Sequence, residues 1–312
     1  MQYLTKRLLM TVPTLLGVLV ITFVFVRLIP GDPVVLLLGD AATPEAVADM
    51  RRQMGLDEPI IIQFGLYLMD VVRGDIGTSI RTNRDVLSEV LRVLPYTLQL
   101  TFAAVAVGTL VGIPIGIWTA VRHNTVTDYV ANAVAMLAMA TPAFWFGILL
   151  MLLFSYYLNW FPAIGVGRGD GLWTTLSHLF LPALAVGLRN AAGVARMTRA
   201  YVLEVLYQDY VRTARAKGVA EHVVVLRHVL KNAMIPIVTY IGLDMGVLLG
   251  GTVVTEVLFS RPGLGKLMVD AIYARDYAQM QACILFWAFA YMVINIIVDL
   301  TYSRLDPRVR YE

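Results

Sequence analysis

The chain has 312 residues, 58% of them hydrophobic and 15% charged, with a formal net charge of +3. Soluble domains carry nearer ~25% charged residues, so polar surface is too scarce here to cover a core in water, and lipid must solvate much of the chain. A charge of +3 is too small to argue for nucleic acid, and the single cysteine, Cys283, excludes an internal disulfide framework and a thiolate metal site.

A helix crosses a bilayer with about 20 apolar residues. The first such run, 8–29, follows Lys6 and Arg7 and is interrupted only by Pro13 and Arg27. Its length, and the lack of a small-residue cleavage site after it, make it an uncleaved span rather than a signal peptide. "PGDP" (30–33) then breaks the helix with turn residues. In "TPEAVADMRRQMG", Thr43 is the expected N-cap, Pro44 the first helical residue and Gly55 the stop. "DEPIIIQFGLYLMDVV" is expected as a further short helix lying on the membrane surface, "RGDIGTSI" as a returning loop, and 86–94 as the lead into the second span.

Residues 98–121 and 131–158 hold no charge and form the second and third spans. The fourth, 176–195, carries Arg189; the fifth, 233–258, carries Asp244 and Glu256; the sixth, 282–302, carries Asp299. With the N-terminus inside, the inside segments (the N-terminus, 122–130, 196–232 and the C-terminus from Arg304) hold two, one, seven and three Lys/Arg. The short outside loops, 159–175 and 259–281, hold one and three, a bias that places both termini in the cytoplasm. The expected architecture is an all-α membrane protein of six transmembrane helices. Its parts are 1–29, the first span; 30–97, an extracytoplasmic helical subdomain; and 98–312, a five-helix core that includes the cytoplasmic loop 196–232.

That loop contains "YQDYVRTARAKGVAEHVVVLRHVLKNAMIP" (207–236), basic and flanked by apolar sequence. It reads as two helices. Asp209 and Lys217 complement the dipole of the first, and Gly218 sits where a left-handed residue ends it. In the second, Val219, Val223, Leu226 and Leu230 form an apolar stripe, with Arg227 and Lys231 on another face. Positive charge alone fits a loop gripping anionic headgroups. The caps and the glycine stop describe a rigid shape, suited to docking a protein.

"DYVRTARAKGVAEHVVVLRHVLKNAMIPIV" resembles the coupling loop of ABC importer permeases of the peptide/nickel family, which are type I importers. "KRLLMTVPTLLGVLVITFVFVRLIPGDP", "RMTRAYVLEVLYQDYVRTARAKG", "GGTVVTEVLFSRPGLGKLMVDAIYARDY" and "DPRVRY" extend the resemblance along the whole chain. Within that family it is most similar to the first permease subunit of dipeptide, oligopeptide and glutathione importers. The resemblance implies that the short helix fits a groove on a cytoplasmic ATPase, whose cycle rocks the spans between outward- and inward-facing states. The matching positions are Asp209, Tyr210, Arg212, Thr213, Ala214, Arg215, Ala216, Lys217 and Gly218. The Glu of the generic Glu-Ala-Ala motif is missing from Thr213-Ala214-Arg215-Ala216. The resemblance further implies a bacterial inner-membrane location, a second homologous permease, two ATPase subunits that bind ATP and Mg, and an extracytoplasmic substrate-binding protein, with lipid around the spans. No cofactor is expected in this chain.

The chain lacks a phosphate loop of its own: in "RPGLGKLM", Ser260 and Leu267 stand where the Walker pattern needs Gly and Ser/Thr. The four histidines form no zinc-protease motif, and no nucleophile elbow occurs, so an enzyme is not expected. Arg189 and Asp244 are the charges deep in apolar sequence. Intramembrane charges face a bundle interior or a wet path; these two either pair for packing or line a translocation path. Gly108, Gly112 and Gly116, and likewise Gly242, Gly246 and Gly250, recur every four residues and are expected on closely packed faces, within the chain or against the partner permease. Pro114 and Pro142 are candidate kinks. The alternatives are an ion-coupled secondary transporter, a nickel-chelate importer and a membrane anchor without transport. Peptide is the expected substrate class.

Overall fold

The computed structural model describes residues 2–28, 33–39, 42–167 and 171–305. Most of "PGDP" and the "DPRVRY" terminus lie outside the described residues, and the side chains of Lys6, Arg7 and Asp299 are likewise outside the description. Every regular element described is helical, and the one isolated β-bridge joins Thr78 to Asp85. The helices are α1 (Gln2–Leu28), α2 (Pro33–Leu38), α3 (Pro44–Gln53), α4 (Ile60–Arg73), α5 (Val86–Val121), α6 (Val126–Ala140), α7 (Ala143–Leu150), α8 (Leu172–Leu206), α9 (Asp209–Ala216), α10 (Glu221–Val223), α11 (Leu230–Gly251), α12 (Val253–Leu258), α13 (Leu264–Ala274) and α14 (Tyr277–Leu305). Two compact units divide them: 1–95 with 263–292, and 96–262 with 293–312.

Among the described residues, four helices are long and apolar enough to cross a membrane: Val86–Val121, Leu172–Leu206, Glu221–Gly251 and Tyr277–Val298. A fifth crossing exists if α6 and the α7 helix, extended to Tyr157, form one bent span. Thr11–Phe25 of α1 is a shorter apolar stretch.

In the first unit α3 begins as its sequence dictates, with Thr43 Oγ1 accepting from the Ala46 N–H at 3.2 Å and Pro44 at the first position. The chain reverses at Gly55, whose φ of +63° suits glycine. α4 packs against α1 through Phe64 and Tyr67 on Phe23, with ring centroids 5.1 and 5.7 Å apart. The core of this unit joins Val86, Val90 and Val93 of α5 to Leu264 of α13 and Ala282 and Cys283 of α14. Cys283 is fully buried, as a small apolar side chain is. Beside this core, buried carboxylates tie the loop before α5 to the start of α14. Asp276 accepts from Ser79 Oγ at 2.5 Å and from the Gln279 N–H at 3.2 Å; Glu89 accepts from Thr82 Oγ1 at 3.1 Å and Gln279 Nε2 at 2.5 Å. Buried charge persists only when so satisfied.

In the second unit α8 is the axis. Fifteen of its residues are buried, and it contacts α6, α7, α11 and α12. α5 runs unbroken through Pro114, so that proline ends no helix. Pro142 does. It pushes Thr141 into extended backbone (ψ 128°), and α6 and α7 meet at 101°, so the uncharged run 131–158 is a bent pair rather than one continuous helix. The expected apolar stripe of the basic loop also shifts. Val224, Val225 and Val229 are buried and Leu226 is exposed, because Val224–Val229 form a π turn whose i→i+5 bonding rotates the following side chains.

Candidate functional site

α9 is eight residues long and starts without a side-chain cap; Asp209 in its first turn complements the dipole. Lys217 closes the helix and Gly218 follows at φ +77°, the left-handed stop that glycine adopts without cost. Its two faces differ completely. Val211 and Ala214 are buried in a cluster with Ala120 of α5, Val202 of α8, Val224 and Val229 of the π turn, and Ala233 and Ile237 of α11. Asp209, Arg212, Thr213, Ala216 and Lys217 are exposed. Ala214 therefore packs inward, and Ala216 presents a small side chain outward.

Polar bonds fix this helix at both ends. Asn232 Nδ2 donates to Tyr210 Oη at 2.6 Å, tying the first turn to α11. Arg215 donates to Glu221 at 2.6 and 3.0 Å, a bidentate pair spanning the turn into α10. The Arg215 guanidinium holds the Glu221 carboxyl below its ordinary range, and Glu221 in turn raises the arginine. Nearby, Tyr207 and His123 share a hydrogen bond of 2.8 Å. Arg199 of α8 grips the buried Asp128 of α6 at 2.7 and 2.6 Å, and Asp128 also accepts from Asn132 at 2.7 Å and from the Asn124 N–H at 3.1 Å. Motion of α9 must therefore be shared with the ends of α8 and α11, because packed side chains transmit displacement.

A second site lies inside the same unit. Arg189, Asn190 and Gly193 of α8 and Tyr240, Asp244, Val247, Leu248 and Gly251 of α11 line a cavity of about 180 Å³, closed by Val186 and by Met139 and Ala143 from either side of the α6–α7 break. Asp244 accepts a hydrogen bond from Asn190 Nδ2. Among the described residues no ion pair within 4.0 Å joins Arg189 to Asp244, so the two charges share a cavity without neutralising each other in a direct bridge. α9 and this cavity occupy different stretches of α8 and α11.

Residues matching the family model described as "Binding-protein-dependent transport system inner membrane component" run from 112 to 311, and those matching its N-terminal companion from 1 to 101. The chain belongs to that family of inner-membrane transport components. The dipeptide transport system permease protein DppB of Alkalihalophilus pseudofirmus is 40% identical over 332 residues, covering 100% of both chains. The glutathione transport system permease protein GsiC of Salmonella choleraesuis is 44% identical over 313 residues, again covering 100% of both. Among solved structures, an inward-facing methionine ABC transporter, MetNI, aligns with a TM-score of 0.60 at 17% identity over 70% of this chain and 96% of that one. An amino acid ABC transporter aligns at 0.51 and 19% identity, over 70% of this chain and 94% of its own. At such identities these two show the shared fold.

Sequence reasoning gave no role to several side chains that the inner-membrane component buries. Asn190, beside Arg189, is the direct partner of Asp244. Glu256 is fully buried and accepts from Thr97 Oγ1 at 2.7 Å and Thr252 Oγ1 at 3.2 Å. Arg261 is 1% exposed, donates to Gln99 Oε1 at 3.0 Å and lies 5.7 Å from the Tyr96 ring. Burial lowers the basicity of its guanidinium and the Glu256 charge opposes that shift. Asn190 was open to notice as a polar residue in a Gly/Ala run; the others depend on contacts some 160 residues distant in sequence.

Proposed function

We propose that this chain is a permease subunit of an ATP-driven importer of dipeptides, oligopeptides or related small peptides such as glutathione. The names of its full-length relatives support that class. In this reading six helices cross the inner membrane with both termini in the cytoplasm, α1 being the first span and the bent α6–α7 pair the third. The partners are a second homologous permease, two ATPase subunits that bind ATP and Mg, and an extracytoplasmic binding protein. The chain itself does no chemistry and holds no cofactor.

The observation that carries the mechanism is the division of α9 into a buried face on α5, α8 and α11 and an exposed charged face. The exposed Asp209, Arg212, Thr213, Ala216 and Lys217, with Tyr210 and Arg215 beside them, form the surface that meets the ATPase. Closure of the ATPase pair displaces α9, and the clamps at Asn232 and Glu221 pass the displacement into α8 and α11. Both helices line the Arg189–Asp244 cavity, so the same movement opens or closes it. A zwitterionic peptide offers an ammonium to Asp244 and a carboxylate to Arg189.

The test is ATPase stimulation by substrate-loaded binding proteins, with the complete complex in nanodiscs. Arg212→Glu with Ala216→Asp changes only exposed side chains and leaves the packing of Val211 and Ala214 intact. The expected outcome is an assembled complex that no longer couples stimulation to uptake. Unchanged uptake would remove α9 from the coupling path.

A further inference from the structure

The extracytoplasmic stretch contains an amphipathic helix whose apolar side has no partner among the described residues. α4, Ile60–Arg73, contributes no buried residue. Ile61 is 81% exposed and Val72 86%, and Ile60, Ile62, Leu66 and Met69 are each about half exposed. Phe64 and Tyr67 are spent on Phe23 of α1, and Gln63 accepts from Arg27 Nη2 at 2.7 Å while donating to the Glu58 carbonyl at 2.7 Å. The polar side is thus accounted for, and the aliphatic side is left outward. Six large aliphatic side chains on one short helix make a patch well beyond what a water-facing surface ordinarily carries.

The position of α4 on α1 says what covers it. The contact falls on Phe23 and Arg27, in the last turns of a helix whose own outward side chains there, Ile21, Phe25 and Leu28, are exposed and apolar. The aliphatic side of α4 continues the lipid-facing surface of a membrane helix at the level where that helix leaves the bilayer. Charge brackets the patch: Asp57 and Glu58 precede the helix, Asp70 and Arg73 lie in its last turn, and Asp75 follows it. An apolar stripe bounded by polar ends, ending on an arginine, is the pattern of a helix lying in the plane of the headgroups with its apolar side a few ångströms into the acyl chains. A soluble protein that docks and leaves in every cycle is matched by polar, charged surface, which this side lacks.

We infer that α4 is an interfacial helix, seated in the outer leaflet beside α1, and that it sets the depth and tilt of the first span. Phospholipid acyl chains are the occupant of its outward side. The inference is independent of the coupling role of α9 and of the substrate.

Single cysteines at Ile61, Met69 and Val72, each in the Cys283→Ala background, with Asp57→Cys as the water-exposed control, would carry nitroxide labels in the assembled complex. The membranes would be nanodiscs of phosphatidylethanolamine and phosphatidylglycerol. Collision rates with oxygen and with a water-soluble nickel chelate then report depth. The expected result is oxygen-dominated relaxation at the three helix sites and chelate-dominated relaxation at position 57, unaltered by the binding protein. Chelate-dominated relaxation at all sites would overturn the inference, as would protection that arises only when the binding protein is added. If a label disrupts assembly, tryptophan at the same positions, quenched by brominated acyl chains, reads the same depth.

Discussion

Two helices of this permease carry the same glycine pattern and use it differently. On α5, Gly108, Gly112 and Gly116 all lie against α8: an added Cβ at Gly112 would come within 2.7 Å of the Ala191 carbonyl, and one at Gly116 within 2.5 Å of the Ala195 carbonyl. On α11, a Cβ at Gly242 would strike Val298 of α14, and at Gly250 it would meet open space. Spacing every four residues aligns small side chains on one face, but what stands opposite decides whether the face is spent. α8 offers backbone and small residues in register along three turns; on α11 Gly242 and Gly246 are buried, and the face opens only at Gly250. The open end at Gly250 adjoins the Arg189–Asp244 cavity through Gly251. The α5 face is filled by α8 along its length, and the α11 face is open at Gly250.

The largest effect that would break this contrast is at Gly116. Backbone cannot yield as a side-chain tip can, so Gly116→Val should prevent a stable fold, and Gly116→Ala should cost at least about 1–3 kcal/mol. Gly250→Ala should be neutral or gain up to about 1 kcal/mol of helix propensity. Thermal unfolding of the purified complex, followed by size-exclusion recovery, separates the two. Equal losses at Gly116 and Gly250 would mean the α11 face is covered in the assembly.

Next in size is the anchor of α8 to α6. Asp128 is 1% exposed and holds Arg199 by two bonds. Removing one partner of a buried pair strands the other, so Asp128→Asn should cost about 3–5 kcal/mol. Arg199→Met with Asp128→Leu should recover part of that, because both charges then leave together. Melting temperatures of the single and double variants check this. A single variant as stable as the parent would show that α8 does not depend on this anchor.

At the cavity, a functional rather than stability effect is expected. Asp244→Asn keeps the shape and the Asn190 contact but removes the charge, so uptake should fall about 10-fold or more, the loss of roughly 1.4 kcal/mol or more of charge-assisted binding. Transport by the reconstituted complex measures it, with the melting temperature as control. Full uptake would take Asp244 off the path.

The difference between α5 and α11 also marks how far the sequence could be read. Apolar runs located the long spans because lipid demands them, and Thr43, Gly55 and Gly218 marked helix ends because capping and positive φ are local chemistry. The bend at Pro142 had its local signal too, although an uncharged run records length and not direction. The π turn at Val224–Val229 had none: it inserts a residue into a turn without altering composition, and it turned Leu226 outward. Asn190 with Asp244, and Thr97 with Glu256, pair across 54 and 159 residues, so only the fold discloses them. Of the nine coupling positions named from resemblance, Ala214 turns into the core, where packing and not contact sets the residue.

The smallest expected effect concerns how α9 is joined to α10. The Arg215–Glu221 pair is about half exposed on both partners, so its worth is about 0.2–1 kcal/mol. Glu221 is held below its ordinary pKa by Arg215. Its contribution is therefore fully present above the unfolded carboxyl's pKa and is lost as the pH falls through the depressed folded value. Glu221→Gln should abolish that acid-side dependence while barely changing stability at neutral pH. Comparing melting temperatures of the two proteins from neutral into the acid range checks the sign. A variant whose advantage grew at high pH would contradict it. Because the pair spans the turn between α9 and α10, the same variant should loosen ATPase-to-transport coupling more than it lowers stability. That result would separate the joint between α9 and α10 from the close packing of α5 on α8.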